Sequence, residues 1–236
     1  MDISQPVPEE RIHIIIPACN EAATIGRVVS QAAAYGPVLV VDDGSTDATA
    51  EQARGAGATV LSLGQNHGKS TALRAGFAAA LSAGAAAVLT LDADGQHDPA
   101  EIPQFLSAYS TANSDLVIGQ RDFTAMPPKR AFANRSARWF LEHALGRAIP
   151  DNQCGFRIIS RRLLEQAPQR GEHFELEVTH VAFAVLHGYS ISWVPVATIY
   201  RADQSSHFRP IVDSWRYLVL VAKIWLQRKI GRQRGR

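Results

Sequence analysis

The hydrophobic residues of this chain fall into short uninterrupted runs, and three of those runs end in acidic or amide side chains. Ile12–Ile16 closes on Pro17-Ala18-Cys19-Asn20-Glu21, and Val38–Val41 closes on Asp42-Asp43-Gly44-Ser45. Ala87–Leu91 closes on Asp92-Ala93-Asp94-Gly95-Gln96-His97. A short apolar run with no polar alternation suits a strand covered on both faces. Thr59–Leu63 and Asp115–Ile118 read as two more such strands. The segments between them switch to helical spacing. Ala22–Ala34 carries Ile25, Val28, Val29, Ala32 and Ala33, and Lys69–Leu81 turns Ala72, Leu73, Gly76, Phe77 and Ala80 inward. Ser45-Thr46-Asp47 and Pro99 open further helices with residues suited to helix starts. Strands alternating with helices predict a three-layer α/β sandwich with a mostly parallel central sheet. In such sheets ligands bind beyond the carboxyl ends of the strands, so the three polar endings are expected to face one ligand.

After Gly119 the pattern loosens. Arg130–Leu145 and Phe174–Leu186 read as helices, Cys154–Ile159 as a strand, and Tyr189–Ile199 as an extended segment broken by Pro195. From Pro210 a helix is expected with Ile211, Trp215, Leu218, Val219 and Ala222 on one side. There is no internal repeat and no linker. Met1–Glu10 is polar and reads as a loose lead-in rather than a secretory leader. The longest uncharged run, Phe77–Leu91, is shorter than the roughly 20 apolar residues of a membrane span. Cys19 and Cys154 are too few for a disulfide framework and predict reduced, cytoplasmic thiols.

Charge is distributed unevenly. The net charge is +2, yet Ser214–Arg236 holds seven cations and no carboxylate, leaving −5 on the remainder. With Leu218, Val219, Val221, Ile224, Trp225 and Leu226 among them, this stretch has the composition of an interfacial helix on an anionic leaflet. No nucleic-acid partner is expected.

The strand endings specify chemistry. Asp92, Asp94 and the Gln96 carbonyl are hard oxygen donors suited to Mg²⁺ or Mn²⁺, ions that bridge phosphates. Gly64-Gln65-Asn66-His67-Gly68-Lys69-Ser70 looks like a P-loop, but only three residues separate its glycines where a P-loop has four. Lys69 at a helix start can still meet an anion. Arg121, Arg130 and Arg201 supply planar forks that match phosphate oxygens. A phosphate acceptor is already ionised and needs orientation more than a base. A hydroxyl acceptor would need a carboxylate base, for which Glu177 and Asp151 are candidates.

These motifs resemble the inverting nucleotide-sugar glycosyltransferases of family 2, from about Ile12 to about Asp213, in the polyprenyl-phosphate (dolichyl-phosphate) mannosyl- and glucosyltransferase branch. The resemblance implies the GT-A (Rossmann-like) fold, with residues 11–213 as one catalytic domain and 214–236 as a basic amphipathic helix and tail. It puts Pro17, Asn20, Glu21, Asp42, Asp43, Lys69 and Asp92 on the nucleotide sugar, and Asp92, Asp94 and Gln96 on the metal, with His97 as a possible neighbour. Gly119-Gln120-Arg121 stands where Gly-Ser-Arg is usual, and Asp151-Asn152-Gln153-Cys154-Gly155-Phe156-Arg157 where Asp-x-Thr-Ser-Gly-Phe-Arg is usual. Asp94, Arg121, Arg130, Arg201 and Glu177 form the implied catalytic group, and Arg130, Asn134 and His207 the acceptor group. Asn134 and Cys154 replace serines and His207 replaces a lysine, a pattern resembling a bacterial side branch. The implied reaction is inverting transfer of a hexose from a GDP-mannose or UDP-glucose type donor to a polyprenyl phosphate, at the inner face of the cell membrane. Alternatives are a sugar or small hydroxyl acceptor, or an inactive nucleotide-sugar-binding module.

Overall fold

The computed structural model describes residues 11–124, 126–171, 175–197 and 210–234. Its centre is a seven-stranded sheet in the order β3-β2-β1-β4-β6-β5-β7. The strands are β1 (Ile12–Ala18), β2 (Val38–Asp42), β3 (Thr59–Ser62), β4 (Ala87–Thr90), β5 (Leu116–Arg121), β6 (Arg157–Ser160) and β7 (Ile191–Val196). Helices α1 (Ile25–Ala32), α2 (Thr49–Gly55), α3 (Lys69–Ser82) and α4 (Ile102–Thr111) alternate with the first strands. They are followed by α5 (Pro128–Leu145), α6 (Arg161–Gln166), α7 (Glu175–Leu186) and α8 (Pro210–Arg234).

The parallel arrangement β3-β2-β1-β4 follows from the apolar runs. Ile14, Ile15, Ile16, Val40, Val41, Val88 and Leu89 are all essentially inaccessible, as a doubly covered sheet requires. Right-handed crossovers place α1 and α2, which step from β1 outward to β3, on one face, and α3, which steps back to β4, on the other. The inward set predicted for α3 is buried as expected: Ala72, Leu73, Gly76, Phe77 and Ala80.

Three elements depart from the sequence reading. β6 runs antiparallel to both β4 and β5, so the sheet reverses once before β5 and β7 pair in parallel. An apolar strand hides its direction, because the side chains bury equally well either way. The predicted strand at Cys154 starts only at Arg157, and Ser160 then caps α6, a helix not anticipated, by accepting a hydrogen bond from the Leu163 amide at 3.2 Å. Ser45-Thr46-Asp47 does not start α2; Asp47 accepts from the Thr49 amide at 3.0 Å, and the helix begins at Thr49. Pro195 sits inside β7, which is tolerated because β7 is an edge strand.

Candidate active site

β1 and β2 end level with one another, Ala18 beside Asp42, while β4 pairs Thr90 with Ile15 and releases Asp92 two residues later. The three polar endings therefore open at one edge of the sheet. Pro17 is buried in β1 opposite Val41.

Much of the first two endings is used to hold loops. Asp42 accepts from the Ser45 amide at 3.0 Å and the Ser62 hydroxyl at 3.1 Å. Asp43, almost fully buried, accepts from the His67 amide at 2.8 Å and the Gly68 amide at 2.7 Å, which aims the start of α3 and with it Lys69. Asn20, with φ of 57°, accepts from the Thr46 amide at 2.8 Å and so joins the ends of β1 and β2. Gly44 has φ of +71°, and a Cβ there would collide with the backbone of Gln65, so the second ending turns tightly under this loop.

What remains is a concentration of charge. Lys69 Nζ lies 2.7 Å from Asp92 Oδ1 and 3.2 Å from Glu177 Oε1. Burial disfavours the ammonium, but the charges of Asp92 and Glu177 outweigh it and raise its pKa. Burial likewise acts against the Asp92 carboxylate, yet Lys69 and then His97 hold it below the usual carboxylate range. Asp94 goes the other way: burial raises it, and the neighbouring charge of Asp92 raises it further. Glu21 is raised by burial, with the charges of Asp94, Asp47 and Asp92 adding to the effect against a hydrogen bond from Thr24. Carboxylates crowded until they resist ionisation make a natural seat for a cation.

The residues fit a hard divalent ion. Asp92 and Asp94 present carboxylate oxygens, and Gln96 donates its amide nitrogen to Asp94 Oδ2 at 2.9 Å, which sets its side-chain amide beside them. Among the described residues no three His, Cys, Asp or Glu side chains gather into a protein-only cage. An ion held here would complete its shell with oxygens from outside the protein.

His97 is not a surface residue. It is buried, with a pKa lowered to about 4 by burial against the pull of Asp92. Its Nδ1 lies 3.9 Å from Asp92 Oδ2 and its Nε2 lies 3.7 Å from Cys154 Sγ. Burial pushes the Cys154 thiol up to about 12, so it is an inert packing group. Gly155 is required beside it: a Cβ there would come within 2.7 Å of Asp92 Oδ2.

At the end of β5, Arg121 forms a two-pronged pair with fully buried Asp151, at 2.7 and 3.0 Å. Arg130 lies at the start of α5, and its charge reaches Asp94. Asn134 turns back on its own helix, donating to the Arg130 carbonyl at 3.0 Å. Arg201 and His207 lie outside the described residues. The sequence reading quoted Arg157 as the last residue of a motif and gave it no role. Its buried guanidinium donates to the carbonyls of Cys154, Asn152 and Glu177 at 2.5, 2.8 and 2.9 Å, locking the loop before β6 to α7. An arginine opening an apolar strand was the available signal.

A doubly wound sheet with acidic strand ends and a lysine-bridged carboxylate centre defines an α/β protein with a charged site at the carboxyl ends of its strands. Among solved structures it resembles glucosyl-3-phosphoglycerate synthase from Mycobacterium tuberculosis, a GT-A fold, with a TM-score of 0.70 at 23% identity over 92% of this chain and 79% of that one. The model of glycosyl transferase family 2 matches residues 13–167, and the chain belongs to that family. It is therefore a glycosyltransferase. It is 30% identical over 213 residues to the polyprenol monophosphomannose synthase of Mycolicibacterium smegmatis, covering 80% of this chain and 77% of that protein. To the UDP-N-acetylglucosamine–dolichyl-phosphate N-acetylglucosaminyltransferase of Methanococcus voltae it is 28% identical, covering 81% and 87%.

Proposed function

We propose that this glycosyltransferase moves a hexose, with inversion, from a nucleoside-diphosphate sugar of the GDP-mannose or UDP-glucose type to a polyprenyl phosphate. The observation that carries this is the Lys69–Asp92–Glu177 bridge beside Asp94 and Arg130, which pairs a cation seat with phosphate-directed cations. The names of the two relatives above supply the acceptor class. A solved relative of the same fold contains Mn²⁺ with UDP-glucose.

Asp92, Asp94 and Gln96 would hold Mg²⁺ or Mn²⁺, whose role is to neutralise the departing diphosphate as a Lewis acid. Lys69 adds charge on the same side, and Glu177 fixes Lys69 rather than acting as a base. Asp151 is committed to Arg121 in the same way. Glu21, Asn20, Asp42, Asp43 and Pro17 shape the nucleoside end. An acceptor phosphate oxygen, oriented by Arg130 and, from the segments not described, Arg201 and His207, attacks the anomeric carbon. That bond forms as the bond to the diphosphate breaks, and the nucleoside diphosphate leaves.

Residues 11–213 would act as one catalytic domain, with α8 as its contact with the inner face of the membrane. Among the described residues no helix is long and apolar enough to cross a membrane. Helix α8 buries Tyr217, Val221 and Ile224 but exposes Trp215, Leu218, Trp225 and Leu226, and Lys229 Nζ lies 3.8 Å from the Trp225 ring centroid. Phe132, Trp139 and Phe140 extend an exposed apolar stripe along the neighbouring α5. An amphipathic cationic surface of this kind supports peripheral membrane contact.

The test is nucleoside diphosphate release from UDP- and GDP-hexoses with Mn²⁺, with and without undecaprenyl phosphate in detergent. Lipid-dependent release from one donor is expected. Asp94→Ala should lower it about 10²–10³-fold, the usual scale for removing one electrostatic partner of the transition state. Donor hydrolysis indifferent to lipid would reject the polyprenyl acceptor.

A further inference from the structure

One buried hydroxyl joins α5, α8 and the loop before β6. Tyr217, on the inward face of α8, donates to the Ala137 carbonyl of α5 at 2.6 Å and accepts from Asn152 Nδ2 at 2.9 Å. Tyr217 is 5% exposed and Asn152 2%, so water cannot take the place of either partner. Burial raises the pKa of the phenol and keeps its proton in place for the Ala137 carbonyl. Ala137 lies about two turns beyond Arg130 on the same helix.

The loop that carries Asn152 meets the carboxylate centre directly. Its Asp151 carbonyl accepts from Trp193 Nε1 of β7 at 3.1 Å, and its Gly155 carbonyl accepts from the Thr90 hydroxyl of β4 at 2.6 Å. The Asn152 carbonyl accepts from Arg157 at 2.8 Å, and Arg157 also reaches the Glu177 carbonyl of α7. Gly155 closes on Asp92 so tightly that a Cβ would meet both carboxylate oxygens within 2.8 Å. That carboxylate is the one Lys69 bridges. In a close-packed interior a shift of this loop has nowhere to dissipate and moves against Asp92.

We propose that Tyr217 is a positioning residue for sugar transfer: through Asn152, its hydroxyl sets the loop before β6 against Asp92 and thereby fixes the cation seat. Helix α8 then belongs to the frame of the active site. This rests on the cation seat proposed above and not on the identity of the acceptor.

The experiment compares the full chain with Tyr217→Phe, which removes the hydroxyl and keeps the ring. Asn152→Ala removes the same link from its other side, and the two are also combined. Tyr189→Phe is the control: Tyr189 is also buried, and its hydroxyl donates to Gln166 at 2.9 Å just before β7 starts. Mn²⁺ binding is followed by electron paramagnetic resonance, stability by thermal unfolding, and kcat and donor KM by nucleoside diphosphate release. Tyr217→Phe and Asn152→Ala should each weaken Mn²⁺ binding about fivefold, the scale of one hydrogen bond. The double variant should do no more than the stronger single one, because both changes cut the same link. At a fixed Mn²⁺ concentration kcat should fall in step while donor KM stays near wild type. Tyr189→Phe should lower the melting temperature comparably and leave Mn²⁺ binding and kcat at wild-type values. Wild-type Mn²⁺ affinity in both single variants, with only the melting temperature lowered, overturns the proposal. An additive double variant, or an equal loss in Tyr189→Phe, also overturns it. A wild-type chain that binds no Mn²⁺ rejects the cation seat and this proposal with it, whereas Mn²⁺ binding indifferent to Tyr217 leaves the seat standing and rejects the positioning role alone.

Discussion

The two sides of the site hold their loops with different mixtures of side chains. On the donor side, carboxylates and amide carbonyls capture backbone N–H groups: Asp42 takes the Ser45 amide, Asp43 those of His67 and Gly68, and Asn20 that of Thr46. On the acceptor side Asp151 likewise takes the Gln153 amide, but a buried cation and a hydroxyl also capture backbone carbonyls. Arg157 takes three, and the Tyr217 hydroxyl takes that of Ala137. The donor side thereby leaves Glu21, Asp92 and Asp94 crowded as surplus negative charge, whereas the acceptor side carries arginines. A cation seat and an anion seat meet where Lys69 and Arg130 approach the aspartates.

If the acceptor loop depends on one buried cation, removing it should have the larger effect on stability. Arg157→Met is expected to cost about 3 kcal/mol, because three carbonyls lose charge-assisted donors in a buried setting. Urea denaturation reads the loss, and a change below that of Asp43→Ala would break the comparison. Asp43→Ala should cost about 2 kcal/mol, since the two amides it leaves are only partly buried and water can recover some of the bonding. It should also raise donor KM by loosening the start of α3, while acceptor KM stays near wild type.

Smallest when counted per pH unit is a pH dependence. His180 on α7 is buried, and burial followed by the charge of Arg157 lowers its pKa from 6.5 to about 3. Unfolding lets it take up a proton at any pH between those values. Its contribution is therefore intact above pH 6.5 and is lost as pH falls toward 3, at about 1.4 kcal/mol per pH unit. His180→Leu should flatten the slope of stability against pH by that amount in this window. An unchanged slope would mean that the imidazole is not held neutral.

The donor side was largely legible in the sequence because its information is local. Each polar ending follows directly on an apolar run, so reading the strand also locates Asn20, Asp43 or Asp94 at its carboxyl end. Their immediate partners were less legible. Asp43 reads as a ligand of the nucleoside, but its oxygens meet the amides of residues more than 20 positions later. Glu177 reads as a candidate base, but its partner Lys69 sits on a different helix.

The apolar runs by themselves determined the parallel α/β sheet and the edge at which it binds ligands, because burying a strand on both faces admits few alternatives. The family followed from the same residues. The direction of β6, the burial of His97 and Arg157, and the meeting of Tyr217 with Asn152 were decided only in the tertiary structure. Each depends on segments far apart in the chain meeting at close range, and neither apolar periodicity nor charge spacing records which distant segment a side chain will face.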